Sequence, residues 1–454
     1  MIPRIVVAGT ASGAGKTSVA CGLIGALRRS GLVVQGFKVG PDYIDPSYHA
    51  LASGRPGRNL DAFLSGPDLI APLVRHGAAG ADIAVIEGVM GLFDGASGRG
   101  ELASTAHVAK LLRAPVVLVV DASAMARSAA AIVHGYTTFD PDVDVAGVIY
   151  NKVGSDHHEE LLREATAPLG IPVLGAVRRD ERVVAPERHL GLVPADEREA
   201  RARDALDALA DAAARSIDLA AVERLARAAP AMEGRAWDPD PGRSGGPTRA
   251  RIAIARGPAF SFHYAENLEL LEAAGAELAP FDPLRDEALS QGAGALVLAG
   301  GFPEVYGAEL EANAALRSAI RAFAASGRPV LAECGGVLYL CADLDGHAMC
   351  GVLPARGRMA GRLTLGYREA VAATATPWLA AGARVRGHEF HYSAVEATGD
   401  EAAPAWSLTA RGTTRDEGLV AGGVQASYLH VHWAAQPELA RRFARAAAAP
   451  AIAA

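Results

Sequence analysis

The chain has 454 residues, half of them hydrophobic and 21% charged, which excludes a disordered protein and exceeds what one typical core accommodates. A formal net charge of −7, with no basic tract, argues against nucleic acid and membrane surfaces as partners. Four cysteines without a C-x-x-C pair and a strand pattern starting at Ile2 with no leader-like segment ahead of it lead us to expect a cytoplasmic protein with no membrane span.

The elements follow in chain order. Residues 5–8 form an apolar run that leads into Gly9-Thr10-Ala11-Ser12-Gly13-Ala14-Gly15-Lys16-Thr17 and a helical pattern over 16–29. Strands are predicted at 33–39, 83–87, 116–121, 145–150 and 173–177, separated by helical segments, which implies a parallel sheet covered on both faces. Residues 196–229 have helical spacing; 237–247 is a Pro/Gly-rich polar stretch that cannot pack a core. The pattern restarts at 251–255, with strands at 295–299 and 329–333, and is more β-like and Gly-rich after Gly351. The expectation is an α/β chain of two domains, 1–235 and 250–454, joined by a linker over 236–249.

A glycine-rich turn between a strand and a helix offers several backbone N–H groups to one anion, and the helix N-terminus adds positive partial charge. Gly13 and Gly15 shape that turn, Lys16 is placed for the outer phosphates, and the Thr17 hydroxyl for Mg²⁺. Thr10 stands where the usual G-x-x-x-x-G-K-[ST] has glycine, so the loop is one residue longer. That longer loop resembles dethiobiotin synthetase and its relatives, which use ATP to activate a carboxylate-type oxygen for attack by nitrogen. The early lysine of the related partitioning ATPases is missing from Thr10-Ala11-Ser12, which counts against a dimeric ATPase switch.

Lys38-Val39-Gly40-Pro41-Asp42-Tyr43-Ile44-Asp45-Pro46 reads as a short loop braced by two prolines, with Lys38 placed to neutralise transferring phosphate and Asp42 or Asp45 to ligate Mg²⁺. A plain surface turn fits the same residues. Glu87 ends an apolar strand, where a metal-holding acid sits in phosphate-loop enzymes; Asp94 is the weaker candidate, and Asp121 reads as an ordinary strand-end cap. Asn151, in Asn151-Lys152-Val153 after the next strand, is placed for the nucleotide base, and the aspartate of a guanine-reading motif is missing, so ATP is expected rather than GTP.

Cys334 follows the run 329–333 and precedes Gly335-Gly336, an elbow that exposes a nucleophile at a helix N-terminus, where thiolate is favoured. Gly301, in the strand-ending Leu298-Ala299-Gly300-Gly301-Phe302-Pro303-Glu304, and Gly335 are candidate oxyanion donors. A base is expected in Ser427-Tyr428-Leu429-His430-Val431-His432-Trp433, where strand alternation would point both histidines to one face. Cys21, Cys341 and Cys350 read as core.

Taken in order, the phosphate loop, residues 38–46, 87–95 and 300–304, Ala332-Glu333-Cys334-Gly335-Gly336, Gly387-His388-Glu389-Phe390-His391-Tyr392 and 427–433 resemble the cobyrinic acid a,c-diamide synthase family, including its hydrogenobyrinic acid variant. The C-terminal half is similar to class I glutamine amidotransferases of the cobyrinate/cobyrate type. The resemblance implies a phosphate-loop, dethiobiotin-synthetase-like parallel sheet followed by an amidotransferase-like α/β domain. It implies that Cys334, activated by His430, releases ammonia from glutamine. ATP with Mg²⁺, managed by Lys16, Thr17 and Glu87, would phosphorylate the a and c carboxylates of a tetrapyrrole polycarboxylate in cobalamin biosynthesis, and ammonia would displace the phosphate. Asp42, Tyr43, Ile44 and Asp45 would lie between nucleotide and macrocycle. A homodimer is compatible with these features. One residue departs from the pattern: many class I glutaminases carry glutamate two residues after the base, and His432 stands there, so the third triad member is absent or supplied elsewhere. Nickel-sirohydrochlorin as the ring, the carboxylates amidated by cobyric acid synthase, a dethiobiotin-synthetase-like ligase with an inert appended domain, and a nucleotide-switched binding protein are the alternatives.

Overall fold

Ile5-Val6-Val7-Ala8 is apolar on both faces, which suits only a strand covered on both sides. The computed structural model describes residues 2–179, 187–188, 191–192, 199–240, 250–399, 402–410 and 412–449; residues 241–249 of the expected linker lie outside them. The chain divides into two units, Met1–Trp237 and Asp238–Ala454.

The first unit is built on seven strands, β1 (Arg4–Gly9), β2 (Val34–Val39), β3 (Arg58–Leu60), β4 (Ile83–Glu87), β5 (Val116–Asp121), β6 (Val145–Val153) and β7 (Val173–Arg178). Their order is β3-β2-β4-β1-β5-β6-β7, and every neighbouring pair is parallel. β1, β2 and β4 are buried along their whole length. In such a sheet the crevice at the carboxyl ends of the strands is the place for ligands. Three of those ends carry the phosphate loop, residues 40–45 and residues 88–94. The register sets Lys38 against Glu87. A short pair, β8 (Glu187–Arg188) and β9 (Gly191–Leu192), follows.

Helix α1 (Lys16–Arg29) leaves the phosphate loop, and its Gly22 and Gly25 let the helix Glu199–Ser216 lie close against it. A Cβ at Gly22 would come within 2.8 Å of the Leu209 carbonyl oxygen. Helix α2 (Ile44–Ser53) begins inside the segment expected to be a loop. Pro46 sits in its first turn, where a missing N–H leaves no helical bond unmade. β6 runs on to Val153, so Asn151 and Lys152 belong to the strand rather than following it. Within the helical stretch expected at 196–229, the described residues form two helices, Glu199–Ser216 and Leu219–Ala228, the second capped by Asp218 accepting from Ala221 N at 2.8 Å.

Among the described residues the second unit has twelve strands: β10 (Ala250–Ala255), β11 (Ala276–Phe281), β12 (Ala293–Leu298), β13 (Val330–Glu333), β14 (Asp343–Leu344), β15 (His347–Ala348), β16 (Ala355–Ala372), β17 (Arg384–Ala397), β18 (Ala403–Ala410), β19 (Thr413–Ala421), β20 (Val424–Ser427) and β21 (His430–Val431). β11-β10-β12-β13-β20 is parallel; β19, β18 and β16 continue the sheet antiparallel. β13 pairs with β20 in the register Glu333↔Ser427, and β21 pairs with β17 in the register His388↔His430. These two pairings bring the cysteine elbow and the histidine segment to one end of the sheet.

Candidate active sites

Gly13 (φ 78°) and Gly15 (φ 93°) hold the left-handed conformations that turn the phosphate loop back on itself. Asn151 reaches across from β6 and donates to the Ala14 carbonyl at 3.0 Å. A Cβ at Gly15 would come within 1.9 Å of the Asn151 amide nitrogen, so glycine is needed there for space as well as for φ. The visible role of Asn151 is to brace the loop. Lys16 Nζ donates to the Ala11 carbonyl at 2.9 Å, and burial, reinforced by the Lys38 charge, lowers its pKa to about 8.

Beside the loop lies a buried charged cluster. Lys38 Nζ stands 2.5 Å from Asp45 Oδ2 and 2.8 Å from Glu87 Oε1, and also donates to the Gly88 carbonyl at 3.0 Å. Lys38 therefore holds two carboxylates together rather than standing free for phosphate. His49 Nε2 lies 2.7 Å from Glu87 Oε2. Thr17 Oγ1 donates to Glu87 Oε1 at 2.6 Å and reaches Asp45 Oδ2 at 3.4 Å. Burial works to raise Glu87, but Lys38 and His49 outweigh it and hold its carboxyl below the usual range. Burial and the charges of Asp42 and Glu87 push Asp45 the other way. Thr17, Asp45 and Glu87 thus present three converging hard oxygens, a donor set that fits Mg²⁺ with water and phosphate oxygens completing its shell. No set of three His, Cys, Asp or Glu side chains suited to a metal occurs among the described residues. Asp42 Oδ1 accepts from Ile44 N at 2.8 Å, so it shapes the entry to α2. Asp94 accepts from Gly91 N at 2.9 Å, and Asp121 pairs with Lys152 at 2.6 Å.

His49 was not anticipated. It stands four residues after Asp45 on α2, so both face the same way, a spacing that becomes a signal only once the segment is known to be helical.

In the second unit Cys334 has φ 49° and ψ −106°, a strained conformation for a residue with a side chain, between β13 and the helix Gly335–Leu340. Its N–H donates to the Ser427 carbonyl at 2.9 Å. A Cβ at Gly335 would come within 3.0 Å of Gly301 N, and one at Gly336 within 2.1 Å of the Leu298 carbonyl oxygen, so the two candidate oxyanion glycines lie against each other. The thiolate expected at a helix N-terminus is not favoured: burial and then Glu304 push the Cys334 thiol up to about 12, against a hydrogen bond from Gly335 N–H. One six-residue helix is too weak a dipole to offset that burial. A nearby base is therefore required.

His430 supplies an imidazole from β21, which pairs with β17. Its Nδ1 is 3.5 Å from Glu333 Oε2, and its ring stacks on His388 at a centroid distance of 5.0 Å. His388 Nε2 lies 3.0 Å from the Tyr264 hydroxyl; burial and then His430 keep His388 neutral. β21 ends at Val431, so His432 opens a 3-10 turn rather than continuing the strand, and its Nε2 faces Glu266 Oε2 at 3.4 Å. Glu417, buried behind Ser427, accepts from Ser427 Oγ and from Tyr428 N, the latter at 2.8 Å. Burial pushes its carboxyl up to about 7. Cys21, Cys341 and Cys350 are buried.

Comparison with known proteins covers both sites. Residues 5–193 match the CobQ/CobB/MinD/ParA nucleotide binding domain, and residues 251–438 the CobB/CobQ-like glutamine amidotransferase domain. The chain is 56% identical to hydrogenobyrinate a,c-diamide synthase of Streptomyces coelicolor over 97% of each chain. It is 52% identical to the Thermobifida fusca protein of that name, covering 98% of this chain and 97% of the relative. Cobyrinate a,c-diamide synthase of Syntrophotalea carbinolica is 48% identical, with 97% and 98% covered.

Proposed function

The chain belongs to the hydrogenobyrinate and cobyrinate a,c-diamide synthase family, and from that premise we propose that it amidates the a and c carboxylates of hydrogenobyrinate. It is a glutamine-hydrolysing ligase of cobalamin biosynthesis. The observation that carries the finer reading is similarity over nearly the full length of both chains, spanning phosphate loop and cysteine elbow alike, to proteins named for the hydrogenobyrinate ring at 52–56% identity. Relatives named for cobyrinate stand at 42–48%.

At the elbow, His430 takes the thiol proton and the Cys334 sulfur attacks the glutamine amide carbon. The oxyanion that forms is met by the N–H groups of Gly301 and Gly335. The C–N bond breaks, His430 returns the proton to the leaving nitrogen, and ammonia departs; water then hydrolyses the glutamyl thioester. At the phosphate loop, the loop amides and Lys16 hold ATP while its γ-phosphoryl group passes to a substrate carboxylate, which otherwise lacks a good leaving group. Ammonia displaces phosphate and leaves the amide. Mg²⁺, when held by Thr17, Asp45 and Glu87, would offset the negative charge of the phosphates. Asn151 and Gly13 keep the loop in shape, Lys38 keeps the two carboxylates in place, and Asp42, Tyr43 and Ile44 form the rim that the macrocycle meets. A cytoplasmic location, a homodimer and the lack of nucleic-acid or membrane partners are part of the same proposal.

The test is mass spectrometry of products after incubation with ATP, glutamine and, in parallel, hydrogenobyrinate, cobyrinate and nickel-sirohydrochlorin. A diamide formed fastest from hydrogenobyrinate is expected. Preference for either metal-containing ring would overturn the choice of substrate, and no amide from any ring, with ATP turnover intact, would overturn the reading itself.

A further inference from the structure

The position that holds glutamate in many class I glutaminases is His432 here, and its Nε2 faces Glu266, 3.4 Å away. A different carboxylate stands at the base. Glu333 is the last residue of β13, immediately before the nucleophile, and its register partner Ser427 lies three residues before His430. Its Oε2 is 3.5 Å from His430 Nδ1, with both side chains nearly buried, at 13% and 2% exposed. The neighbouring acids are engaged elsewhere: Glu417 by Ser427 and Tyr428, Glu389 by Arg368 and Arg415 at 2.5 Å each. The ring is further confined by the stacked His388 and by Gly300, where a Cβ would come within 2.7 Å of His430 Cε1.

We infer that Glu333 is the positioning residue of the glutaminase site, holding His430 with Nδ1–H toward its carboxylate so that Nε2 is left to accept the Cys334 proton. The inference rests on the glutaminase reading of this site. When the thiol proton moves to Nε2, an imidazolium forms, and the Glu333 carboxylate stabilises that cation across the 3.5 Å gap. Catalytic contacts of this kind are often long before substrate binds. The need is acute because burial and the Glu304, Glu333 and Glu417 charges all hold the thiol protonated, while His388, with Arg368 beyond it, adds no negative charge on the imidazole's other face.

The experiment uses the full chain with Glu333→Gln, Glu333→Asp and Cys334→Ala, each assayed with glutamine and with ammonia as nitrogen donor. Glu333→Gln is expected to lower kcat for glutamine hydrolysis by about 10²-fold, the low end of a general acid–base contribution, with KM for glutamine little changed. The acid limb of its kcat/KM profile moves to lower pH, because the imidazolium has lost its counter-charge. Glu333→Asp retains part of the rate, and ammonia-dependent amidation stays at the wild-type level in both. Wild-type glutaminase activity and an unmoved acid limb in Glu333→Gln, beside an inactive Cys334→Ala, would overturn this inference alone. Loss of ammonia-dependent amidation in Glu333→Gln would also overturn it, by making the residue structural. Retention of glutamine use by Cys334→Ala would overturn the glutaminase reading and this inference with it.

Discussion

Single residues in both sites are governed by what burial does to charge. Lys38 is fully enclosed and stays cationic only because Asp45 and Glu87 face it, and their closeness to each other is tolerable only because Lys38 lies between them. Removing one partner of such a pair leaves uncompensated buried charge, which is destabilising by about 3–5 kcal/mol. Lys38→Met is expected to lose that much in urea unfolding; a loss below about 1 kcal/mol, the range of an exposed pair, would contradict the cluster. Glu417 carries the opposite sign of effect. Its folded pKa, raised by burial from 4.5 to about 7, means that stability present below pH 4.5 is lost as pH rises through about 7. Glu417→Gln should therefore match the wild type near pH 4.5 and exceed it increasingly toward pH 8, by at most about 3 kcal/mol. Parallel unfolding curves for the two proteins across that range would refute the assignment. Motif spacing alone singles out Lys16 and Thr17, whereas the contacts of His49 with Glu87, His388 with His430 and Glu333 with His430 join residues distant in sequence and leave no local pattern.

Among elements, the central strands β1, β4, β5 and β13 were readable from their apolar runs, since a strand buried on both faces is mostly apolar. β3 and β11 were missed for the converse reason. Both lie at sheet edges, where a polar residue or a proline such as Pro280 is tolerated and the hydrophobic signal fades. Residues 40–43 form the loop that the two flanking prolines suggest, but α2 already starts at Ile44, and Pro46 is at home in its first turn. That helix is what aims Asp45 and His49 at Glu87. The Cys334 elbow was placed correctly between strand and helix, but the thiolate expected there was not: its helix is only six residues long and the thiol is buried.

At the scale of the whole molecule, two sheets of different topology carry the phosphate loop and the cysteine elbow at strand ends. The class of each sheet was readable from the alternation of strands and helices, and the pairing of the two chemistries in one chain narrowed the function further than either did. The histidine segment shows where that legibility ends. Its sequence suggests a base, but β21 is two residues long, and only its register with β17 sets His430 apart from His432. We propose that ammonia released at the cysteine is what is consumed at the phosphate loop. The most direct test is Cys334→Ala assayed for ATP-dependent amidation of hydrogenobyrinate, first with glutamine and then with ammonium at a pH where free ammonia is plentiful. We predict no product with glutamine and wild-type product with ammonia; amidation from glutamine at the wild-type rate would contradict the account.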